Sequence, residues 1–398
     1  MAVRGTASEA SDFWRCLTCG TRNPPAPYIT RCLGCGEVRP AKAEPVQAPA
    51  ESARRWVPRP LDRRAKWVLG ITLAYFVLTV VVFAVMRLFA ESWLPATLIL
   101  FAPRGVLLLP LPILVGLALW ARRPILLVAD GLLLAFILGP FMGFSVPIGS
   151  LFRGSPPGTR LCVMTLNQGK APLNQAVLRL LIRKHSVNVI CFQEGAGPNA
   201  LEGADAQGWN FDSSGLIATR FPIVEELKPE NPNDFQERLF WPLRIKRVKI
   251  ALPDGRRCMV ACVHMGTMRT GFEFLKNGET AAAYRYQDWR WRQMDDLIGR
   301  LGDAGDSPIL IGGDFNMPGD SPMMSPLYRQ FRNTFREAGW GFGYTRPTKW
   351  PFVGIDHILV SPEWDVRHSW VGPDVGSDHL PLLTTVVLPA TPAAAAPK

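Results

Sequence analysis

"PILIGGDFNMP", residues 308–318, climbs through an apolar run from Ile309 to Ile311, crosses two glycines and ends on Asp314 and Asn316, with a proline behind them. Successive side chains of a β-strand alternate faces, so residues two apart share one. A buried strand that turns a carboxylate and a carboxamide the same way at its end reads as the rim of a site. The question is what else in the chain arrives there.

From Arg160 onward, short apolar runs alternate with helical segments. "LCVMTLN" (161–167), "VNVICFQE" (187–194), "GLIAT" (215–219), "RIKRVKIAL" (244–252), "RCMVACVH" (257–264), "PILIGGDFN" (308–316), "GIDHILVS" (354–361) and "PLLTTVVL" (381–388) read as strands. Leu173, Val177, Leu180 and Leu181 are expected on one helical face, and Met294, Leu297, Ile298 and Leu301 on another. The class is α/β, with sheets covered by helices. Asn167, Glu194, His264 and Asp314 with Asn316 end strands, Asp356 stands near the start of one, and "GSDHLPLL" brings Ser377, Asp378 and His379 just before the last. One polar strand end is ordinary surface. Six together point to convergence on one rim.

In order, "MTLNQG", "CFQEG", "VHMG", "GGDFNMP", "GIDHILV" and "GSDHLP" resemble the motifs of the endonuclease/exonuclease/phosphatase superfamily. Its members include deoxyribonuclease-I-like nucleases, apurinic endonucleases, sphingomyelinases and inositol-polyphosphate phosphatases. The resemblance runs over residues 158–390 and implies a four-layer sandwich of two packed β-sheets flanked by helices, with the site at one edge. Hydrolysis of a phosphate ester needs an activated water, neutralisation of developing charge and a stabilised leaving oxygen. Glu194, with Asn167 nearby, offers the oxygen ligands that a hard divalent ion such as Mg²⁺ or Mn²⁺ prefers.

The resemblance makes Glu194 the main metal ligand and keeps Asp378 near the metal. Asp314 and Asn316 then orient the nucleophile and the scissile phosphate, around one ion or two. His379 is the expected general base, because an imidazole titrates near neutral pH and a carboxylate partner fixes its tautomer. The resemblance supplies that partner as Asp356, and has His264 donate to a non-bridging oxygen or act as the acid. His185, His357 and His368 are expected to be structural.

The formal charge of +11 is unevenly spread: twelve basic against six acidic residues over 1–66, and twenty-eight against twenty-five over 153–398. Between them, Trp67 to Met86 holds no charge over twenty residues, the length a helix needs to cross the hydrocarbon core. Apolar blocks follow at 93–120, broken by Arg104 and prolines, and at 124–149, with Asp130 near its start beside Arg122 and Arg123. The expected membrane segment is 67–152, of about three helices, with a re-entrant hairpin as the alternative for the middle block. Arg54, Arg55, Arg59, Arg63, Arg64 and Lys66 before the first span, and Arg122 and Arg123 before the third, place those ends in the cytoplasm by the positive-inside rule. Three spans then put the catalytic domain outside, and no cleavable signal peptide is visible.

"WRCLTCGTRNPPAPYITRCLGCG" sets Cys16, Cys19, Cys32 and Cys35 in two C-x2-C-G knuckles, a spacing that suits one structural zinc. With Trp14 and Asn23, residues 1–39 resemble the zinc finger of Ran-binding proteins, with a longer middle loop containing Pro24, Pro25 and Pro27. Ubiquitin-binding members carry Thr-Phe where this chain has Gly20 and Thr21, so that partner is not supported. Residues 40–66 read as a flexible basic linker, 153–390 as the catalytic domain and 391–398 as a disordered tail. Cys162, Cys191, Cys258 and Cys262 fall in strands and read as buried thiols. Cys258 and Cys262 are too far apart along one strand to bond, and a pairing of Cys162 with Cys191 or Cys262 stays open.

The stretch after His264 brings Arg269, Lys276, Arg285, Arg290 and Arg292 among Phe, Tyr and Trp. Such a mixture suits a nucleic acid with stackable bases, and equally a lipid headgroup at a membrane interface or a solvated helix. Arg269 and Arg285 are the candidate substrate contacts. The expected activity is that of a membrane-anchored phosphodiesterase, nucleic acid slightly ahead of phospholipid. A catalytically silent sensor of a phosphorylated ligand is the alternative of another class.

Overall fold

A computed structural model describes residues 14–24, 30–38, 60–152, 154–169, 171–195, 197–201, 207–227, 243–302 and 305–390. They fall into two compact units, Met1–Asp62 and Arg63–Lys398. Pro25 and Pro27, residues 40–59 of the expected linker and the tail lie outside the described residues.

In the first unit Trp14–Arg15 pairs antiparallel with Arg22–Asn23, and Arg31 bridges Val38. The two turns bring four Sγ atoms, from Cys16, Cys19, Cys32 and Cys35, within 4.8 Å of one another. Sulfur ligands at about 2.3 Å around a tetrahedral ion stand about 3.8 Å apart. The Cys16–Cys35 and Cys19–Cys32 pairs stand at 3.6 and 3.5 Å, so the set suits a metal. Asn23 is buried and ties the knuckles together, accepting from the Leu33 N–H at 2.8 Å and donating to the Thr21 carbonyl at 3.0 Å.

The second unit begins with α1 (Arg63–Phe89), α2 (Leu94–Phe101), α3 (Leu111–Ala121) and α4 (Pro124–Phe136). Three helical stretches, Arg63–Phe89, Arg104–Ala121 and Pro124–Phe141, are long and apolar enough to cross a membrane. The middle apolar block divides into α2 and the long apolar stretch that starts at Arg104. That arginine is buried because its guanidinium pairs with both Asp320 oxygens, at 2.7 and 3.0 Å, and donates to the Leu100 and Phe141 carbonyls. Replacing Asp320 by alanine strands a buried guanidinium, so the full chain in detergent should lose about 3–5 kcal/mol of stability, read as a fall in Tm. Asp130 accepts from the Thr72 hydroxyl of α1 at 3.2 Å.

Among the described residues, twelve strands follow: β1 (Gly158–Asn167), β2 (Val189–Gln193), β3 (Asn210–Phe211), β4 (Ile217–Thr219), β5 (Ile223–Leu227), β6 (Arg244–Ala251), β7 (Arg257–His264), β8 (Ile309–Asp314), β9 (Arg332–Asn333), β10 (Asp356–Val360), β11 (Asp365–Val371) and β12 (Leu382–Pro389). One sheet runs β11-β12-β1-β2-β4-β3, the other β9-β10-β8-β7-β6-β5. Each is mixed, parallel at β1/β2 and at β7/β8. Val163, Cys191 and Ile217 of the first share a core with Val260, Cys262, Leu310 and Ile358 of the second. The first sheet's outer face is covered by α5 (Gln175–His185) through Leu178, Leu181 and Ile182. The second is covered mainly by α7 (Thr280–Leu301), which follows α6 (Met268–Lys276), through Met294, Leu297 and Leu301. Leu180, expected on the buried face, is 66% exposed, and Leu173 precedes the helix, whose cap is Asn174.

The four thiols in the sandwich are buried and free. Cys162 packs on the outer face and Cys191 and Cys262 between the sheets, so the open Cys162 pairings do not form. The two glycines of the opening stretch let β8 approach its neighbours closely. A β-carbon on Gly313 would collide with the Val263 carbonyl, and one on Gly312 would stand 3.0 Å from Cys191 Sγ.

Candidate phosphoesterase site

Strand register gathers the site. Asp314, at the end of β8, is paired with His264 of β7 on one side and Asp356 of β10 on the other. In the facing sheet Asn167 closes β1 opposite Gln193, so Glu194 follows directly at the same rim. Asn167 Nδ2 bridges the two sheets, donating to Glu194 Oε1 at 3.1 Å and to Asp314 Oδ2 at 3.0 Å. His379 is carried in by the turn before β12. The Ser377 hydroxyl donates to the Asn167 carbonyl at 2.6 Å and accepts from the His379 N–H at 3.0 Å, which fixes the turn against β1.

His379 Nδ1 stands 2.9 Å from Asp356 Oδ2, and its Nε2 3.8 Å from Asp314 Oδ2. His264 Nε2 lies 3.7 Å from Glu194 Oε1 and 4.0 Å from Asp314 Oδ2. The Asn316 backbone N–H donates to Asp314 Oδ1 at 2.8 Å, and its carboxamide to the Met265 carbonyl at 2.9 Å. Glu194 and Asn316 both hold left-handed backbone, at φ 58° and 51°. For side-chain-bearing residues that conformation costs on the order of 1–3 kcal/mol and persists where surroundings impose it.

Of these groups Glu194, His264 and Asn316 line a cavity of about 690 Å³, together with Arg244, Arg269 and Arg346 among others. Residues 164–379, more than half of the chain, match the profile of the Endonuclease/Exonuclease/phosphatase family. This chain belongs to that family. Similar solved structures include a family member from Bacteroides thetaiotaomicron, 16% identical with a TM-score of 0.45, covering 59% of this chain and 97% of its own. One from Bacteroides vulgatus is 14% identical with a TM-score of 0.45, covering 58% and 99%. The human Nocturnin catalytic domain with bound sulfate is 14% identical with a TM-score of 0.40, covering 60% and 98%. No curated protein matches the chain.

Of the family-type residues read from the sequence, Asn167, Glu194, His264, Asp314, Asn316, Asp356 and His379 all meet. Asp378 lines the same cavity but is turned to Arg346, 2.7 Å away. Arg269 also lines it, whereas Arg285 is exposed on α7 and does not. Arg290, read as part of a polyanion-binding surface, is instead fully buried, and Tyr286 and Trp289 beside it are buried too. Two cavity arginines went unread. Arg244 stands opposite His264 in the β6–β7 hairpin, a register that the Asp254-Gly255 turn signals. Arg346 comes from a long loop with no periodic signal.

His357 is structural: buried, with Nε2 2.9 Å from the Met317 carbonyl. Among the described residues, Asp314, Asp356 and His379 form a second set with ligand atoms within 4.8 Å, and Asp356 Oδ1 is buried without a hydrogen-bond partner. With Glu194, Asn167 and Asp378 nearby, the donors are mostly oxygen, which fits a hard divalent ion. Burial, with the Asp356 carboxylate, pushes the Asp314 pKa up. Asp356 is itself buried, yet the imidazole beside it holds its pKa down. Burial alone would lower the His379 pKa, but Asp356 and Asp314 more than offset it and raise the imidazole to about 9.

A proton bound more tightly in the folded than the unfolded chain stabilises the fold at low pH. The His379 contribution is therefore fully present below about pH 6.5 and lost as pH rises through about 9. Under chelator, the wild-type chain should lose stability across that window, on the order of 3 kcal/mol from this group. His379→Gln should flatten that dependence in thermal melts.

Proposed function

We propose that the chain is a membrane-anchored, divalent-metal-dependent phosphoesterase whose substrate is a phosphate ester carried by a membrane lipid. One observation carries the substrate class: the loops that hold the site are the loops that grip the spans. Six residues beyond Asp314, Asp320 bonds Arg104 and the Arg87 guanidinium. The loop bearing Arg346 pairs at Gly341 with Ser145, just past the third span, and Tyr344 donates to the Met142 carbonyl. Trp340 packs edge-on against Phe144 and remains 67% exposed, the type of aromatic enriched at membrane interfaces. Burial of Tyr286 and Trp289 reduces the aromatic surface of that stretch open to stacking bases. Arg244, Arg269 and Arg346 keep nucleic acid as the second reading.

Glu194 and Asn167, with Asp314 and Asp378, would hold the ion, Mg²⁺ or Mn²⁺. Bound there, it supplies positive charge against the phosphate oxygens. His379 accepts the proton of the attacking water at Nε2, Asp356 holding Nδ1 and stabilising the imidazolium. Asp314 and Asn316 orient water and phosphate, and His264 donates to a phosphate oxygen. The basic residues Arg63, Arg64, Arg122 and Arg123 lie at the span ends away from Glu91 and Arg104. The Arg64 guanidinium sits 5.0 Å from the Trp120 ring there. By the positive-inside rule that end is cytoplasmic and the catalytic domain lies outside.

Full-length chain in lipid nanodiscs with Mg²⁺, compared with His379→Ala, tests the reading by phospholipid headgroup release and single-stranded DNA cleavage in parallel. Headgroup release that chelator abolishes is the expected result. DNA cleavage alone transfers the assignment to nucleic acid, and a folded chain silent on both leaves the sensor. The cysteine set we assign to zinc, as in the Ran-binding type of finger, on the cytoplasmic side. Cys32→Ser should abolish the one zinc per chain seen by atomic absorption and leave turnover within about twofold, because the finger contributes no group to the chemistry.

A further inference from the structure

We propose that Glu91, in the connector after the first span, is a positioning residue for the site: through Arg290 it sets the backbone of two loops that flank the phosphate cavity. This inference rests on the site assignment above and concerns how that site is held. Glu91 and Arg290 are 199 residues apart in sequence, both side chains are fully buried, and Arg290 Nη1 lies 2.6 Å from Glu91 Oε2. The remaining nitrogens of the guanidinium bond the catalytic rim. Nε donates to the Gly266 carbonyl at 3.1 Å, two residues past His264, and Nη2 to the Asn316 carbonyl at 2.9 Å. One planar cation thus spans the β7 and β8 loops, in a fork geometry that lysine cannot reproduce.

The connector is built to hold its carboxylate in place. Glu91 has left-handed backbone, φ 63°, as do Arg122, Ser186, Glu194 and Asn316. Its N–H donates to Thr97 Oγ1 at 2.9 Å, and Thr97 accepts from Gln287 at 2.7 Å. Its carbonyl accepts from the Trp291 indole at 2.9 Å, so Gln287 and Trp291, on either side of Arg290 along α7, are both engaged. Backbone strain of this kind is sustained only when several contacts impose it. What they hold in place is the Glu91 carboxylate, brought by the connector to a side chain that ties Gly266 to Asn316. Since Asn316 also donates to the Met265 carbonyl, displacement of Arg290 moves both sides of the cavity together.

Full-length chain in detergent micelles is compared with Glu91→Gln, which keeps size and loses charge, and with the double variant Glu91→Leu/Arg290→Met, which removes both charges at similar volume. The readouts are kcat, KM, Tm and amide hydrogen exchange over 264–268 and 314–318. Misplacement of about 1 Å costs on the order of a hundredfold in rate. The expectation is a 10- to 100-fold lower kcat in both variants, KM within about threefold, and faster exchange confined to those two segments. The double variant should regain the wild-type Tm without regaining kcat, because exchanging a buried ion pair for apolar volume is commonly neutral for stability. A double variant with wild-type Tm and wild-type kcat would overturn the proposal and leave the pair purely structural. Exchange does not require turnover. Should the wild type hydrolyse no phosphate ester, local acceleration would still support the inference while the functional reading fails, and uniform acceleration would sink the inference too.

Discussion

His379→Ala is expected to lower kcat on the lipid phosphate ester about a thousandfold, within the range that removal of a general base produces. The geometry supports so large a loss because nothing nearby can substitute. His264, the other imidazole of the rim, faces Glu194 and Asp314 rather than Asp356. Alanine would also leave the buried Asp356 carboxylate without its imidazole partner, so part of the loss would reflect a disturbed fold. His379→Asn separates the two effects, since its Nδ2 takes the place of the imidazole Nδ1 and can still donate to Asp356 but cannot take a proton. An asparagine variant that melts like the chelated wild type at neutral pH, yet is as inactive as alanine, assigns the loss to proton transfer. Asp356→Asn should cost less, about a hundredfold, through the lost orientation and charge of the pair.

The strands that carry the site were legible because their apolar runs end abruptly in polar residues. "RCMVACVH" became Arg257–His264 and "PILIGGDFN" contains Ile309–Asp314. Strands without such a run were not legible. Asn210–Phe211 and Arg332–Asn333 are two residues each, and Asp365–Val371 mixes Arg367 and His368 among its apolar residues, stabilised by Thr384 and Leu383 of its neighbour. The aromatic–basic stretch after His264 misled for a specific reason. Periodicity can show that Arg290 shares a helix with Trp289 and Tyr286, but its buried partner, Glu91, is 199 residues away in the connector. The same holds for Arg104, whose charge interrupts an apolar block until Asp320 is brought to it. Charged residues that sequence reads as surface or as breaks are here the joints between the long apolar helices and the rim of the candidate site.

Glu194→Gln gives the second large effect, with a signature different from that of His379. The Glu194 side chain is 38% exposed on the cavity wall, so losing its charge should leave the melting temperature nearly unchanged. Its Oε1 is held by Asn167 Nδ2 at 3.1 Å, and a glutamine oxygen can keep that bond. What disappears is the negative charge offered to a divalent ion, which takes few protein carboxylates and so depends strongly on each. At fixed Mg²⁺ the expected fall in rate is about a hundredfold or more. Raising Mg²⁺ should recover much of it, with half-saturation shifted up at least tenfold, whereas His379→Ala should not respond to metal at any concentration. If Glu194→Gln saturates at the wild-type Mg²⁺ concentration with only kcat reduced, Glu194 is not the principal ligand. The buried set of Asp314, Asp356 and His379 then becomes the place to look for the ion.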